Sequence, residues 1–506
     1  MTSTSLPLAL HSAAAVRAMD AAAIHEHGIP GAVLMKRAGR VCFEALLARW
    51  PEPEAITVFC GGGNNGGDGY VVAALAKQAQ IPVSVIHLVD PDNLKGDAAR
   101  AYHFARQEGV PCAAFDSKQA LPTAGVIVDA LLGTGLSGQV RADMAAAIGV
   151  INQAGLPVLA VDIASGIDAD TGAILGAAVQ AQVTCTFIGA KVGLFTGAAP
   201  GCCGELVFAD LEVPAEVLAG QHPVATRLEL ADLLQLLSTR SRVAHKGDFG
   251  HVLVMGGDLG FGGAALMTAE ASARLGAGLT SLATRPENTL AMNVRCPEVM
   301  AASIRTGVEV TPLLEKATVI AVGPGLGRQA WSQQLLLAAL ESFQPLVLDA
   351  DALNLIADGV AAVALAERQQ AGTVNVMTPH PGEAARLLSV TTAEVQADRL
   401  AAAKRLAEKY SAVVVLKGAG TVIAEPGGQC FVCTQGNPGM ASGGMGDVLT
   451  GMVASLLAQG LAALPAAQLA VCLHAQAADE QVARYGERGL LATDLIPAAR
   501  ALLNGL

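Results

Sequence analysis

The stretch ITVFCGGGNNGGDGY, Ile56–Tyr70, runs from five apolar residues into a glycine-rich loop with polar side chains, and then into an Ala/Val-rich segment. The apolar run shows no polar alternation, as expected of a strand buried on both faces of a parallel sheet. The same pattern recurs at Val83–Leu88, Val126–Leu132, Val158–Ile163 and Val183–Ile188, each run followed by a helical stretch. A second series opens at His251–Gly257 and continues through Leu279–Thr284, Val319–Gly327, Leu346–Asn354, Val374–Glu383 and Val413–Thr421. Strands alternating with helices predict right-handed βαβ units and an α/β fold. A polar, Pro-containing stretch, Pro214–Val243, separates the series. Their motifs differ, so the reading is a fusion of two domains, 1–218 and 231–506, joined by a linker at 219–230. In both, glycines and carboxylates gather at strand C-termini, where open α/β sheets bind ligands.

Composition narrows the function. The 506 residues are 52% hydrophobic and 15% charged, which excludes a disordered chain. A net charge of −12 and 3% aromatics argue against nucleic acid as a partner. An anionic ligand must then be held by backbone N–H groups, helix N-termini and single lysines. Mean hydropathy is +0.46, so membrane insertion needs a test. The uncharged stretch Thr171–Ala190 contains Gln180, Gln182, three Thr and three Gly, and reads as a turn plus a buried strand. No basic residue precedes Arg17, so no signal-peptide n-region is expected. Ten cysteines without paired spacing fit buried thiols in a reducing, cytoplasmic compartment. Cys430 and Cys433 form a CxxC, but neither a second pair nor a helix N-terminus accompanies it.

The first loop contains a formal GxGxxG (Gly61, Gly63, Gly66) with Asp90 after the next strand, so a dinucleotide-dependent dehydrogenase is an alternative. Against it, Asn64, Asn65 and Asp68 sit where a pyrophosphate cradle wants bare backbone. Aspartates also recur at two further strand ends, Asp129 and Asp162. Converging carboxylates need a proton, a cation or substrate hydroxyls. Each also has a bland reading: Asp68 as N-cap of a helix from Tyr70, Asp162 as cap of a turn at Ser165–Gly166. NNGGDG, followed by VDALLGTGLSG (Val128–Gly138), VDIASG (Val161–Gly166) and KVGLFTG (Lys191–Gly197), resembles the YjeF N-terminal family, the epimerases of hydrated nicotinamide dinucleotides. The resemblance spans about Met19 to Val213 and implies a Rossmann-like three-layer αβα domain. It implies a potassium ion held by Asn65, Asp129 and Ser165. It also implies substrate against Asn64, Asn65, Gly66, Gly67 and Asp68, against Gly133, Thr134, Gly135, Leu136, Ser137, Gly138 and Gln139, and against Asp162. Two departures stand out: Ala164 where the family usually has proline, which would loosen the turn before Ser165, and Lys36 where an acidic residue is common. Neither is expected to abolish activity. Inverting the hydroxyl at C6 of the hydrate requires loss and return of water, or ring opening, through a cationic or imine-like species that carboxylates favour. Asp162 is the expected acid/base, and Lys191 is a second candidate unless it is a surface lysine.

The second series carries HKGDFGHVLVMGG (His245–Gly257), VGPGLG (Val322–Gly327), DADALN (Asp349–Asn354), TPHPGE (Thr378–Glu383), KGAGT (Lys417–Thr421) and GNPGMASGGMGDVLTG (Gly436–Gly451). GGMGD, opening a helix from Asp447, supplies N–H groups for an anion and a carboxylate to take a hydroxyl proton, as phosphoryl transfer requires. Asp447 as a plain N-cap is the alternative. Together these motifs resemble the ribokinase-like superfamily, and within it the hydrated-nucleotide dehydratases, over about 228–503. The resemblance implies a ribokinase-like αβα domain that phosphorylates the 6-hydroxyl of the S hydrate with ADP and then expels phosphate, leaving AMP. It puts ADP on Lys417, Gly418, Ala419, Gly420, Thr421 and Gly446, the hydrate on Ala264, Gly325, His380 and Asp447, and makes Asp447 the base. His380 also reads as a loop histidine capping carbonyls. Phosphate chemistry implies Mg²⁺, and Asp349 and Asp351 either lie near it or simply end a strand. His25, His27 and His474 read as structural.

The combined expectation is a soluble enzyme, isomerase plus lyase, returning NADHX and NADPHX to NADH and NADPH. It takes small molecules rather than nucleic acid or membrane as partners, and forms a homo-oligomer as its relatives do. Two alternatives remain open: a small-alcohol kinase in the second half, and a non-catalytic binding module in the first.

Overall fold

The computed structural model describes residues 6–117 and 123–506. They form two compact units, Met1–Thr226 and Arg227–Leu506.

The first unit is built on seven parallel strands: β1 (Ile56–Cys60), β2 (Val83–His87), β3 (Cys112–Ala114), β4 (Val126–Ala130), β5 (Val158–Val161), β6 (Val183–Phe187) and β7 (Glu205–Ala209). Their order is β3-β2-β1-β4-β5-β6-β7. The chain runs outward from β1 and returns beside it at β4, so the switch point lies between the glycine-rich loop and Asp129. The helix Asn64–Gln78 follows β1 and begins six residues before Tyr70. Asp68 is therefore in its second turn and is not its N-cap. This helix lies so close to the sheet that a Cβ on Gly66 would strike the backbone of Gly61, and one on Gly69 would crowd Ala130 and Cys60. Glycine at these positions lets the helix reach the strands. Ala9 and Leu10 pair with Thr226 and Ala225, which ties the two ends of the unit together.

In the second unit, parallel strands β8 (His251–Met255), β9 (Leu279–Thr284), β10 (Met300–Ser303), β11 (Val319–Val322), β12 (Leu346–Leu348), β13 (Asn375–Met377) and β14 (Val413–Leu416) lie in the order β10-β9-β8-β11-β12-β13-β14. An antiparallel hairpin, β15 (Thr421–Ala424) and β16 (Cys430–Cys433), extends the β14 edge. The apolar surplus of the sequence is spent in this core. The helices Met445–Ala458 and Ala463–Tyr485 bury long runs of Leu, Val and Ala against the sheet. No described helix is long and apolar enough to cross a membrane. All ten cysteines are free, nine are buried and Cys112 is half-buried. Cys430 and Cys433 lie in a buried strand.

Candidate functional site

In the first unit, the loops after β1, β4 and β5 enclose a cavity of about 660 Å³. Asn64, Asn65, Asp68, Gly133, Thr134, Gly135, Leu136, Ser137, Gln139 and Asp162 line it. Gly66 and Gly67 face the packed side of their helix instead, against Gly61 and against Met35 and Ala98. Gly138, at φ +71°, shapes the loop without lining the cavity. Asp129 and Ser165 lie beneath, with no exposure. The Ser165 N–H and hydroxyl donate to the two oxygens of Asp129 at 2.8 and 2.6 Å, and Leu131 N–H donates at 3.2 Å. Burial pushes the Asp129 carboxyl up to about 6, and the bonds from Ser165 and Leu131 pull it partly back. On the cavity wall the Asn65 amide is buried with both Oδ1 and Nδ2 unpartnered, pressed against Gly133, where a Cβ would be 3.2 Å from Asn65 Cγ. A buried carboxylate calls for a positive charge and an orphaned amide oxygen for a partner, and a potassium ion fits both needs.

Asp162 has φ +69°, a left-handed backbone in a non-glycine residue, which turns its carboxylate into the cavity. It is ion-paired with Lys191, which is 1% exposed. The ammonium also donates to Thr186 Oγ1 at 2.9 Å and to the Phe187 carbonyl at 3.2 Å. Lys191 is thus no surface lysine, and Asp162 caps no turn at Ser165. Ala164 is fully buried, and Ile167 N–H donates to its carbonyl at 3.1 Å, so the turn before Ser165 closes without proline. Lys36 stands over the Phe104 ring, 5.7 Å from its centre.

In the second unit the loops after β12, β13 and β14 meet the helix Met445–Ala458. Lys417 Nζ lies 2.7 Å from Asp349 Oδ1 and 4.0 Å from Glu383 Oε2. Asp349 Oδ2 accepts from Thr450 Oγ1 at 2.8 Å. A Cβ on Gly446 would come within 3.0 Å of Lys417 Nζ, so the ammonium sits directly over the first turn of the helix. The N-cap is Gly444, at φ +94°, and Asp447 is the third helical residue, not a cap. Burial, then Asp349, raises the Asp447 carboxyl to about 7 against the opposing pull of Lys417. Burial raises Glu383 to about 7 as well. Burial disfavours the Lys417 ammonium, but Asp349, Glu383 and Asp447 together hold its pKa above the ordinary value.

His380 caps the helix Pro381–Leu388: its Nδ1 accepts from Gly382 N–H at 3.0 Å, and its backbone N–H donates to Glu383 Oε2 at 2.8 Å. It therefore caps N–H groups, not carbonyls. Gly325, at φ +58°, backs onto the Phe261 carbonyl, and a Cβ there would be 3.2 Å from that of Ala264, so these two candidates adjoin. In the KGAGT turn, Thr421 Oγ1 donates to the Gly418 carbonyl at 2.9 Å, and Gly418 lies against the Arg399 guanidinium. Asp351 accepts from Gly327 N–H at 2.8 Å and so ties two loops together.

Residues 31–193 match a family described as YjeF-related protein N-terminus, and 252–500 match one described as NAD(P)H-hydrate dehydratase. A bifunctional NAD(P)H-hydrate repair enzyme of Coxiella burnetii is 47% identical and covers 97% of this chain and 98% of its own. The chain belongs to the bifunctional NAD(P)H-hydrate repair enzyme family. A Vibrio cholerae member of the repair enzyme family is 42% identical, with 99% of both chains covered. A Bacillus subtilis ADP/ATP-dependent NAD(P)H-hydrate dehydratase, co-crystallised with ATP and Mg²⁺, is 29% identical over 55% of this chain and 97% of its own, with a TM-score of 0.49.

Four charged residues of the cavity wall were not among the residues assigned to the site from sequence: Arg17, Asp20, Asp97 and Arg141. A faint signal was there, since Arg17 and Asp20 are charged and one turn apart on the otherwise Ala-rich helix Ala13–His25. Of the two carboxylates nearest Lys417, Asp349 was read only as lying near magnesium or ending a strand, and Glu383 was assigned no role. Among the described residues no cluster of three or more His, Cys, Asp or Glu is arranged to hold a metal. Magnesium used with nucleotides commonly takes one or two carboxylates and completes its shell with phosphate oxygens and water, so such a site fits without a dedicated cage.

Proposed function

We propose that this chain repairs hydrated NADH and NADPH in two steps, interconverting the R and S hydrates in the first unit and dehydrating the S hydrate with ADP in the second. The observation that carries the reading is a relative named a bifunctional NAD(P)H-hydrate repair enzyme, 47% identical along 97% of the chain. Both clusters of site residues support it. In the first unit the hydrate would lie against Asn64–Asp68, Gly133–Gln139 and Asp162, with Asp162 moving a proton to or from the 6-hydroxyl. Asn65, Asp129 and Ser165 would hold potassium, whose charge offsets the buried carboxylate.

In the second unit Lys417–Thr421 and Gly446 would hold ADP, while Ala264, Gly325 and His380 hold the hydrate. Asp447 takes the proton of the 6-hydroxyl as that oxygen bonds the terminal phosphorus and AMP departs. Loss of the C5 proton and of phosphate then forms the C5–C6 double bond. Magnesium supplies neutralisation of phosphate charge when bound; Lys417 and the N–H groups of the helix Met445–Ala458 are this chain's own contribution. The ten free cysteines support a reducing, cytoplasmic setting, and a homo-oligomer is proposed on the family resemblance.

The test is recovery of the dihydronicotinamide absorbance from mixed R and S hydrates with Mg²⁺ and K⁺, with ADP, with ATP or with neither. Complete ADP-dependent recovery is expected. Recovery of only the S share leaves the dehydratase and removes the epimerase. A stable phosphorylated product, with no absorbance regained, points to a small-alcohol kinase.

A further inference from the structure

Epimerising a carbinol carbon needs two groups at once. One gives a proton to the departing hydroxyl, and the other takes a proton from the water that returns to the opposite face. Asp162 is one candidate. Lys191 is not the other, because an ammonium has three N–H donors and here they are committed to Asp162, Thr186 and Phe187. The cavity offers three more carboxyls: Asp20, Asp68 and Asp97. Asp97 is paired with Arg100 at 2.7 Å. Asp68 is only 9% exposed, a poor position for exchanging protons between turnovers. Asp20, on the helix Ala13–His25, is half-buried and lines the cavity, and no described residue hydrogen-bonds or ion-pairs with its carboxyl.

We infer that Asp20 is the second acid/base residue of the epimerase, acting with Asp162 from a different element of the cavity wall. The inference rests on the epimerase reading above. In one direction the Asp20 carboxyl gives its proton to the 6-hydroxyl and the C6–O bond breaks, releasing water as the N1 lone pair forms N1=C6. Water then adds to the other face of C6 and gives its proton to Asp162, and the electron pair returns to N1. The substrate changes configuration and not composition, one proton passes from Asp20 to Asp162, and solvent resets the pair by returning a proton to half-buried Asp20 and taking one from Asp162.

The surroundings suit the role. Burial, then Asp162 and Asp97, raise the Asp20 carboxyl above the ordinary value, with Lys191 opposing. Asp68 adds a further carboxyl to the same cluster. Of the two arginines on the cavity, Arg17 donates to the Thr134 carbonyl at 2.7 Å, and Arg141 lies within reach of Asp143, at 3.6 Å. Burial and the neighbouring carboxylates thus favour the protonated form of Asp20 that the step requires.

The experiment follows a single pure hydrate epimer without ADP, on a chiral or ion-pair column, using the full chain and its Asp20→Asn, Asp20→Glu and Asp162→Asn variants. Asp20→Asn is expected to lower kcat by roughly 10²- to 10⁴-fold. KM should change little, the alkaline limb of the wild-type profile should vanish, and Asp20→Glu should recover part of the rate. Unchanged kcat with the alkaline limb intact in Asp20→Asn overturns the assignment, and so does a raised KM at constant kcat. ADP-dependent dehydration of the S hydrate by the same sample checks that the protein is folded. A wild-type chain that leaves the pure epimer untouched removes the epimerase reading itself.

Discussion

Asp447 carries two consequences of one cause. Its carboxyl is raised to about 7 by burial and by Asp349, so the proton-accepting form dominates only above that pH. The kcat/KM for ADP-dependent dehydration should fall about tenfold per pH unit on the acid side. The Asp447→Asn variant should lose roughly 10²- to 10⁴-fold in kcat together with that limb. A surviving limb would mean another group titrates. Stability should move oppositely to activity. The folded pKa lies above the unfolded one, so the stabilising contribution is complete below the unfolded value near 4 and is lost as pH rises through about 7. Asp447→Asn should therefore melt higher than wild type at pH 8, by about 2–4 °C, with the gap closing toward pH 4. Calorimetry at the two pH values decides it. At the proposed potassium site, Asn65→Ala removes the orphaned amide oxygen. It should raise the K⁺ concentration needed for half-maximal epimerisation and leave the dehydratase untouched.

At the scale of elements, Gly325 shows how a loop fixes a site. Its φ of +58° and its contact with the Phe261 carbonyl leave no place for a side chain. Gly325→Ala should cost about 1–3 kcal/mol in urea unfolding, and should raise KM for the hydrate while KM for ADP holds. Equal rises in both would place Gly325 outside the hydrate contact. The central strands were legible because both faces of each are covered, so their sequences are unbroken apolar runs. Edge strands were not: β3 has three residues, CAA, and β7 opens on an exposed glutamate. The start of the helix at Asn64 was misread because Asn and Gly normally signal a turn, whereas here glycine is what close packing on Gly61 demands. The single expected run Val413–Thr421 divides into β14 and β15, because Gly418 and Gly420 both take positive φ and reverse the chain. The strand-end aspartates could be read from their motifs. Asp20 left only the faint signal of a charge on an Ala-rich helix, since folding alone brings that helix to the loops after β1, β4 and β5.

At the scale of the molecule, each unit contains its own cluster of site residues, so the activities should separate. Residues 1–226 alone should interconvert the epimers without ADP, and 227–506 alone should recover only the S share of a mixed hydrate. Mixing the pieces should restore complete recovery, read as the final absorbance; a shortfall would show that the covalent link matters. A shorter piece, 1–218, lacks the partners of Ala9 and Leu10 and should melt below 1–226. The cysteines give the intact chain a tally of its own opening. Six belong to the first unit and four to the second, and in the folded protein only Cys112 is even partly accessible. A thiol-alkylating reagent added during gentle heating marks each half as it comes apart, and the mass of the tagged chain reports which half yielded first without any foreign probe.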